Sequence, residues 1–94
     1  MARASWNGAT LAEADAVHGV EGNVYFPPEA VRREHLRPSE TTSRCVWKGK
    51  ASYYHVVVDG AEQPDAAWTY RKPWPLARKL RDHVAFGGGV EVTR

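Results

Sequence analysis

Cys45-Val46-Trp47-Lys48-Gly49-Lys50-Ala51-Ser52-Tyr53-Tyr54-His55-Val56-Val57-Val58-Asp59-Gly60 carries the clearest structural signal in the chain. From Ala51 to Val58 it is rich in β-branched and aromatic residues, which pack well on a pleated, half-buried surface. Gly49 interrupts the run, so Trp47-Lys48-Gly49-Lys50-Ala51 reads as the bend of a hairpin with a long second arm. In that arm Tyr53, His55 and Val57 share one face while Tyr54, Val56 and Val58 share the other. Bulky residues on both faces predict a central or sandwiched strand. Asp59-Gly60 then supplies a tight-turn signal.

Toward the N-terminus, Asn7-Gly8 lies between Arg3–Trp6 and Ala9–Glu13 and predicts a first hairpin closed by a type I′ turn. A short strand over Val17–Val20, a turn at Gly22-Asn23 and a strand over Val24–Phe26 follow. Pro27-Pro28 ends that strand. Pro28 suits the first turn of a helix and Glu29 places negative charge at its start. The helix is expected to run about two turns through Ala30, Val31, Glu34 and His35, until Pro38 stops it. Ser39–Ser43 is rich in hydroxyls and leads into the hairpin. Beyond it, Ala66–Tyr70 reads as a strand closed by Pro73. Pro75–Asp82 reads as a second short helix with Leu76 and Leu80 on one face. Val84–Phe86 and Val90–Thr93 are the last strands, with Gly87-Gly88-Gly89 as a hairpin connection between them. Many short strands and two small helices predict a mainly β, β-dominated α+β chain with antiparallel sheets.

A chain of 94 residues is expected to form one domain, spanning 1–94, around one core. Cys45 is the only cysteine, so no disulfide forms within the chain and no cysteine-pair zinc site exists. Packing must come from the four tryptophans and four tyrosines. Thirteen Lys and Arg against eleven Asp and Glu leave a formal charge of +2, too balanced for a nucleic-acid partner. No apolar run is long enough to cross a bilayer, so no membrane partner is expected. The first residues lack the apolar stretch of a secretory signal, and together with the free thiol this points to a cytoplasmic location. A domain this small is expected as a monomer or a homodimer.

Trp47, Tyr53 or Tyr54, Trp68, Tyr70 and Trp74 lie on or beside predicted strands. They either fill the core or line a concave face able to sandwich a planar ring or cage a cation. Lys48 beside the Gly49 bend is either a solvated turn residue or a point charge for a phosphate or carboxylate. Arg44 and Arg71 are potential helpers. His18, His35, His55 and His83 are scattered without ligand spacing, and His55 reads as structural, so no metal site is expected. Asp15, Asp59, Asp65 and Asp82 are dispersed as well. No carboxylate pair for Mg²⁺ is visible, and Gly87-Gly88-Gly89 lacks the ending of a phosphate loop. No particular cofactor is implied.

Four separated motifs carry a resemblance. They are Tyr25-Phe26-Pro27, then Cys45-Val46-Trp47-Lys48-Gly49-x-Ala51-x-Tyr53-Tyr54, then Ala67-Trp68-x-Tyr70-x-x-Pro73, and finally Val84-Ala85-Phe86. In this order they resemble the bacterial domain-of-unknown-function family 427, from about Gly8 to Val92. The resemblance implies two antiparallel sheets packed at an angle, tent-like, as in the thalidomide-binding domain of cereblon and the B-type methionine sulfoxide reductases. It also brings a nominal nucleotidyltransferase label. Cys45 is then a candidate thiol catalyst, against a plainer reading as a small buried hydrophobe. Val46 stands where many members have proline. Gly87-Gly88-Gly89 stands where many have aromatics; if those aromatics line a pocket, the resemblance implies a wider or more mobile one here. The expected function is binding of a small planar or anionic ligand by Trp47, Lys48, Tyr53, Trp68 and Tyr70. The alternatives are an enzyme, of the nucleotidyltransferase or thiol-dependent type, and a self-associating structural module.

Overall fold

Local turn chemistry sets out the strands. The structure, a computed structural model, describes residues 1–94. Strands β1 (Ala2–Trp6) and β2 (Ala9–Ala14) form the predicted hairpin. Its turn residues Asn7 and Gly8 both have positive φ, as a type I′ turn requires. Asp59 and Gly60 do the same between β6 (Gly49–Val58) and β7 (Ala61–Thr69). The third such turn is Glu21-Gly22, between β3 (His18–Val20) and β4 (Asn23–Tyr25). It lies one residue before the Gly22-Asn23 turn that the sequence predicts. The remaining strands are β5 (Leu36–Cys45), β8 (Val84–Phe86) and β9 (Glu91–Thr93).

The molecule is mainly β, with three antiparallel sheets and no closed barrel. Their orders are β2-β1-β9, β3-β4 and β5-β6-β7-β8. As predicted, β6 is an inner strand. Its Tyr54, Val56 and Val58 are buried against Ala2, Ala4, Leu11, Ala12 and Phe26, and this forms the main core. Leu11 is the extra residue of a bulge opposite Ala4 and Ser5. Such a bulge breaks the strict alternation of faces, so Leu11 and Ala12 are both buried. The other face of β6 carries Ala51 and Tyr53 and borders a second cluster, with Tyr25, Tyr70, Ala77, Leu80 and Ala85.

Several expectations fail for physical reasons. The two short helices are instead three 3-10 segments, Pro28–Ala30, Arg33–His35 and Pro75–Leu80. Val31 is drawn out of a helix by its bridge to Ala12, and the Arg32 N–H donates to the Leu11 carbonyl at 2.8 Å. Pro38 stops no helix; it lies inside β5, an edge strand, where a missing N–H is tolerated. Leu76 is exposed while Ala77 and Leu80 are buried, the three-residue spacing of a 3-10 turn. Gly87-Gly88-Gly89 is not a hairpin connection, because β8 pairs with β7 whereas β9 pairs with β1 in another sheet.

The hydroxyl-rich segment and His55 are explained together by a second bulge. Between the pairs Tyr54↔Ala67 and Val56↔Gln63, β7 carries two more residues than β6, and Asp65 takes a positive φ. The Asp65 N–H donates to His55 Nδ1 at 3.1 Å, and its carboxylate accepts from Ser39 Oγ at 2.5 Å and Thr41 Oγ1 at 2.8 Å. His55 is thus a structural acceptor for a backbone group that the ladder leaves unpaired. No helix is long and apolar enough to cross a membrane.

Candidate functional site

Two tight turns bring the site together. The β5–β6 hairpin turns through Val46–Lys48 and ends on Gly49, whose φ of +101° lies where L side chains are strained. The Trp74 ring covers this glycine, and the Trp74 N–H donates to the Lys48 carbonyl at 3.1 Å. Trp74 is itself partly exposed and acts as a cover on the outside of the bend.

Lys48 is the opposite of a solvated turn residue, at only 4% exposed. Its ammonium lies 5.2 Å from the centroid of the Trp47 ring and 5.7 Å from that of Tyr70, within reach of both π faces. It also forms an ion pair and hydrogen bond with Glu21, which the β3–β4 turn presents. The indole N–H of Trp47 donates to the other Glu21 oxygen at 3.4 Å.

Behind the lysine the rings form a chain. Tyr70 and Tyr25 are both buried, with centroids 6.4 Å apart. The Tyr25 hydroxyl accepts from Trp68 Nε1 at 3.2 Å. The rings of Trp68 and Tyr53 lie 6.0 Å apart, and the Tyr53 hydroxyl bonds with Ser43 Oγ at 3.1 Å. Trp68 crosses Gly87, where a Cβ would stand 3.1 Å from the indole. The first of the three glycines therefore makes room for an indole of the chain itself.

The electrostatics follow from this packing. Burial pulls the Lys48 pKa down, but the Glu21 hydrogen bond, with Tyr25, Cys45 and Glu21 behind it, outweighs that and raises it overall. Hydrogen bonds from Lys48 and then Trp47 hold the Glu21 carboxyl below its ordinary range. Burial pushes the Tyr70 phenol up, helped by Tyr25, Cys45, Tyr53 and Glu21, so it stays protonated and able to donate. No buried side-chain polar atom lacks a partner. The nearby backbone N–H groups of Trp47 and then Lys48 lower the Cys45 pKa. Cys45 is half-buried and packs against the second cluster as a small hydrophobe, with part of its surface open.

Of the predicted residues, Cys45, Trp47, Tyr53, Trp68 and Tyr70 all belong to or border this one cluster, and Lys48 is held against Trp47 and Tyr70. Tyr54 and Arg71 lie together on the other face of the sheet. Arg44 pairs in register with Lys50 and stays exposed. Glu21 and Tyr25 are site residues that the sequence reading misses. Glu21-Gly22 resembles the other turns only weakly, because glutamate rarely adopts the positive φ that Asn and Asp tolerate. His18 and His83 approach to 5.3 Å between ring centroids, but no three His, Cys, Asp or Glu side chains gather to hold a metal ion.

A deeply buried lysine among rings at a hairpin bend, in a mainly β chain, is the arrangement built from the four motifs quoted above. The chain matches the family described as Domain of unknown function (DUF427) over residues 1–93, and it belongs to that family. The family's short label refers to nucleotidyl transfer. No curated protein matches the chain.

Proposed function

We propose that this protein is a binding module for a small planar anion, held on Lys48 in place of Glu21. The observation that carries the reading is a buried ammonium, flanked by two rings, whose only carboxylate partner is 53% exposed at the tip of a short ribbon. A ligand carboxylate or phosphate takes the position of the Glu21 oxygen. Its ring packs on Trp47, and the Tyr70 hydroxyl is available as a donor. Tyr53 and Trp68 pack against the Tyr25 and Tyr70 cluster behind it. Two three-residue strands make a marginal ribbon. Its tip can lift while Tyr25 stays seated in the core. We read the two larger sheets as the slopes of the tent-like arrangement that the family resemblance implies, with this site on the four-stranded one.

Benzoate is a suitable first probe, read by tryptophan fluorescence because the Trp47 ring flanks the Lys48 ammonium. Saturable quenching that Lys48→Met abolishes supports the reading. Quenching that survives in Lys48→Met counts against it.

A second, thiol-dependent reading rests on the half-buried position of Cys45 at the hairpin bend, where the Trp47 and Lys48 N–H groups lower its pKa although burial and the Glu21 charge oppose them. This reading expects iodoacetamide to alkylate Cys45 at pH 7 faster than it alkylates free cysteine, and more slowly in Lys48→Met. A rate equal to that of free cysteine removes it. Nucleotidyl transfer gains no such support, since no three His, Cys, Asp or Glu side chains gather at one place.

A further inference from the structure

The face of the four-stranded sheet opposite Tyr53 and Trp68 ends in a group of cations. Lys50 and Ser52 on β6, with Arg71 and Lys72 just beyond β7, line an open depression of about 280 Å³ that has no apolar side chain in its lining. Arg71 Nη2 donates to the Tyr54 hydroxyl at 3.3 Å, and its guanidinium lies 6.0 Å from the Tyr54 ring centroid. Arg33 Nη1 reaches the same hydroxyl at 3.5 Å. Tyr54 is itself buried. Its oxygen accepts from both arginines, which leaves its own proton free to be donated.

The ion pairs of the molecule engage Arg3, Arg37, Lys48, His55 and Arg81. Arg33, Lys50, Arg71 and Lys72 have no carboxylate partner. Three of these cations line the depression and Arg33 reaches it through Tyr54; all four are exposed, and an anion among them relieves their mutual repulsion. Each arginine spends one long bond on Tyr54, against the usual ~2.9–3.0 Å, and its remaining N–H groups face solvent. Such forks match the oxygens of a phosphate or carboxylate. Four unpaired cations favour a dianion over a monoanion. The lining offers hydroxyl and N–H donors carried on side-chain stems and holds no hydrophobic residue, unlike an ordinary pocket for an apolar ligand.

We propose that Arg33, Arg71, Tyr54, Ser52 and the flanking Lys50 and Lys72 form a second site, which binds the phosphate group of a small phosphorylated molecule. It is separate from the Lys48 site and does not rest on that reading. The small size of the depression and the net charge of only +2 favour such a ligand over a polynucleotide.

Inorganic phosphate titrated into ¹⁵N-labelled protein, at ionic strength held constant with chloride, tests this. The expected result is saturable shifts at the Ser52 and Arg71 amides, weaker binding of acetate, and about a tenfold or greater loss of affinity in Arg71→Gln. Lys72→Gln, at an exposed position, is expected to weaken binding less, and it serves if Arg71→Gln loses its dispersed spectrum. Shifts no larger than those chloride produces, or unchanged affinity in both variants, overturn the proposal. So does a single-stranded oligonucleotide that displaces phosphate far below the phosphate concentration, which assigns the surface to nucleic acid.

Discussion

Replacing Lys48 in two different ways separates its charge from its stem. Lys48→Met keeps an unbranched side chain between Trp47 and Tyr70 and removes only the ammonium. Two cation–π contacts, each worth about 0.5–2 kcal/mol, and one charge-assisted hydrogen bond are then lost. Against this, the folded protein no longer has to desolvate an ammonium, which costs several kcal/mol. Glu21 is left half-exposed and rehydrates. The opposing effects leave Lys48→Met within about 1 kcal/mol of wild type. Lys48→Ala also removes the stem from a position that is 96% covered, leaving a gap between two rings. Truncations of this kind cost about 2 kcal/mol or more. The two variants should therefore differ by about 2 kcal/mol in urea unfolding followed by tryptophan fluorescence, or roughly 10 °C in Tm for a chain of this size. If Lys48→Met proves as unstable as Lys48→Ala, the ammonium holds the fold together and is not held ready for a ligand.

Acid should destabilise the protein in two stages. His18 is depressed from 6.5 by burial, then by His83 and Lys79, so its stabilising contribution is lost as pH falls below that value. Glu21, Glu62 and Asp65 are held below their ordinary 4.5, 4.5 and 3.8 by Lys48, Arg37 and Ser39 in turn. Their stabilisation is present above those values and is lost as pH falls through the folded ones. Urea midpoints between pH 7 and 2 should decline gently and then steeply, and the steep part should be shallower in a Ser39→Ala, Thr41→Val double variant. Gly49→Ala should destabilise by about 1–3 kcal/mol, because φ is +101° and the new Cβ meets Trp74 Cδ1 at 3.4 Å. Phe26→Ala should cost about 3–5 kcal/mol by calorimetry, since Phe26 is fully buried edge-on to Phe86.

The sequence was most legible where the chemistry was local. Asn7-Gly8 and Asp59-Gly60 announce their turns because both residues of each pair tolerate positive φ. The alternation from Tyr53 to Val58 identifies an inner strand for the same kind of reason. Where distant groups compete, local reading fails. Val31 looks helical until Ala12 and Leu11 offer it a strand partner. Pro38 looks like a stop signal until β5 is found to be an edge. The site was legible in composition but not in its electrostatics. Cys45, Trp47, Tyr53, Trp68 and Tyr70 belong to or border one cluster, which the sequence left open between core and binding face. No local pattern tells that Lys48 turns inward, because its partner Glu21 is 27 residues away. The same distance hides Tyr25, whose hydroxyl meets Trp68 across 43 residues.

The most direct test of a displaceable Glu21 is benzoate affinity in Glu21→Gln, measured by tryptophan fluorescence beside wild type and Lys48→Met. If Glu21 occupies the ligand's place, weakening its hold on Lys48 removes a competitor. The dissociation constant should then fall toward its intrinsic value, by the factor in which open molecules were scarce. Tighter binding in Glu21→Gln and none in Lys48→Met is the expected result. Equal or weaker binding in Glu21→Gln would show that the Glu21–Lys48 pair is part of the scaffold and not a ligand site.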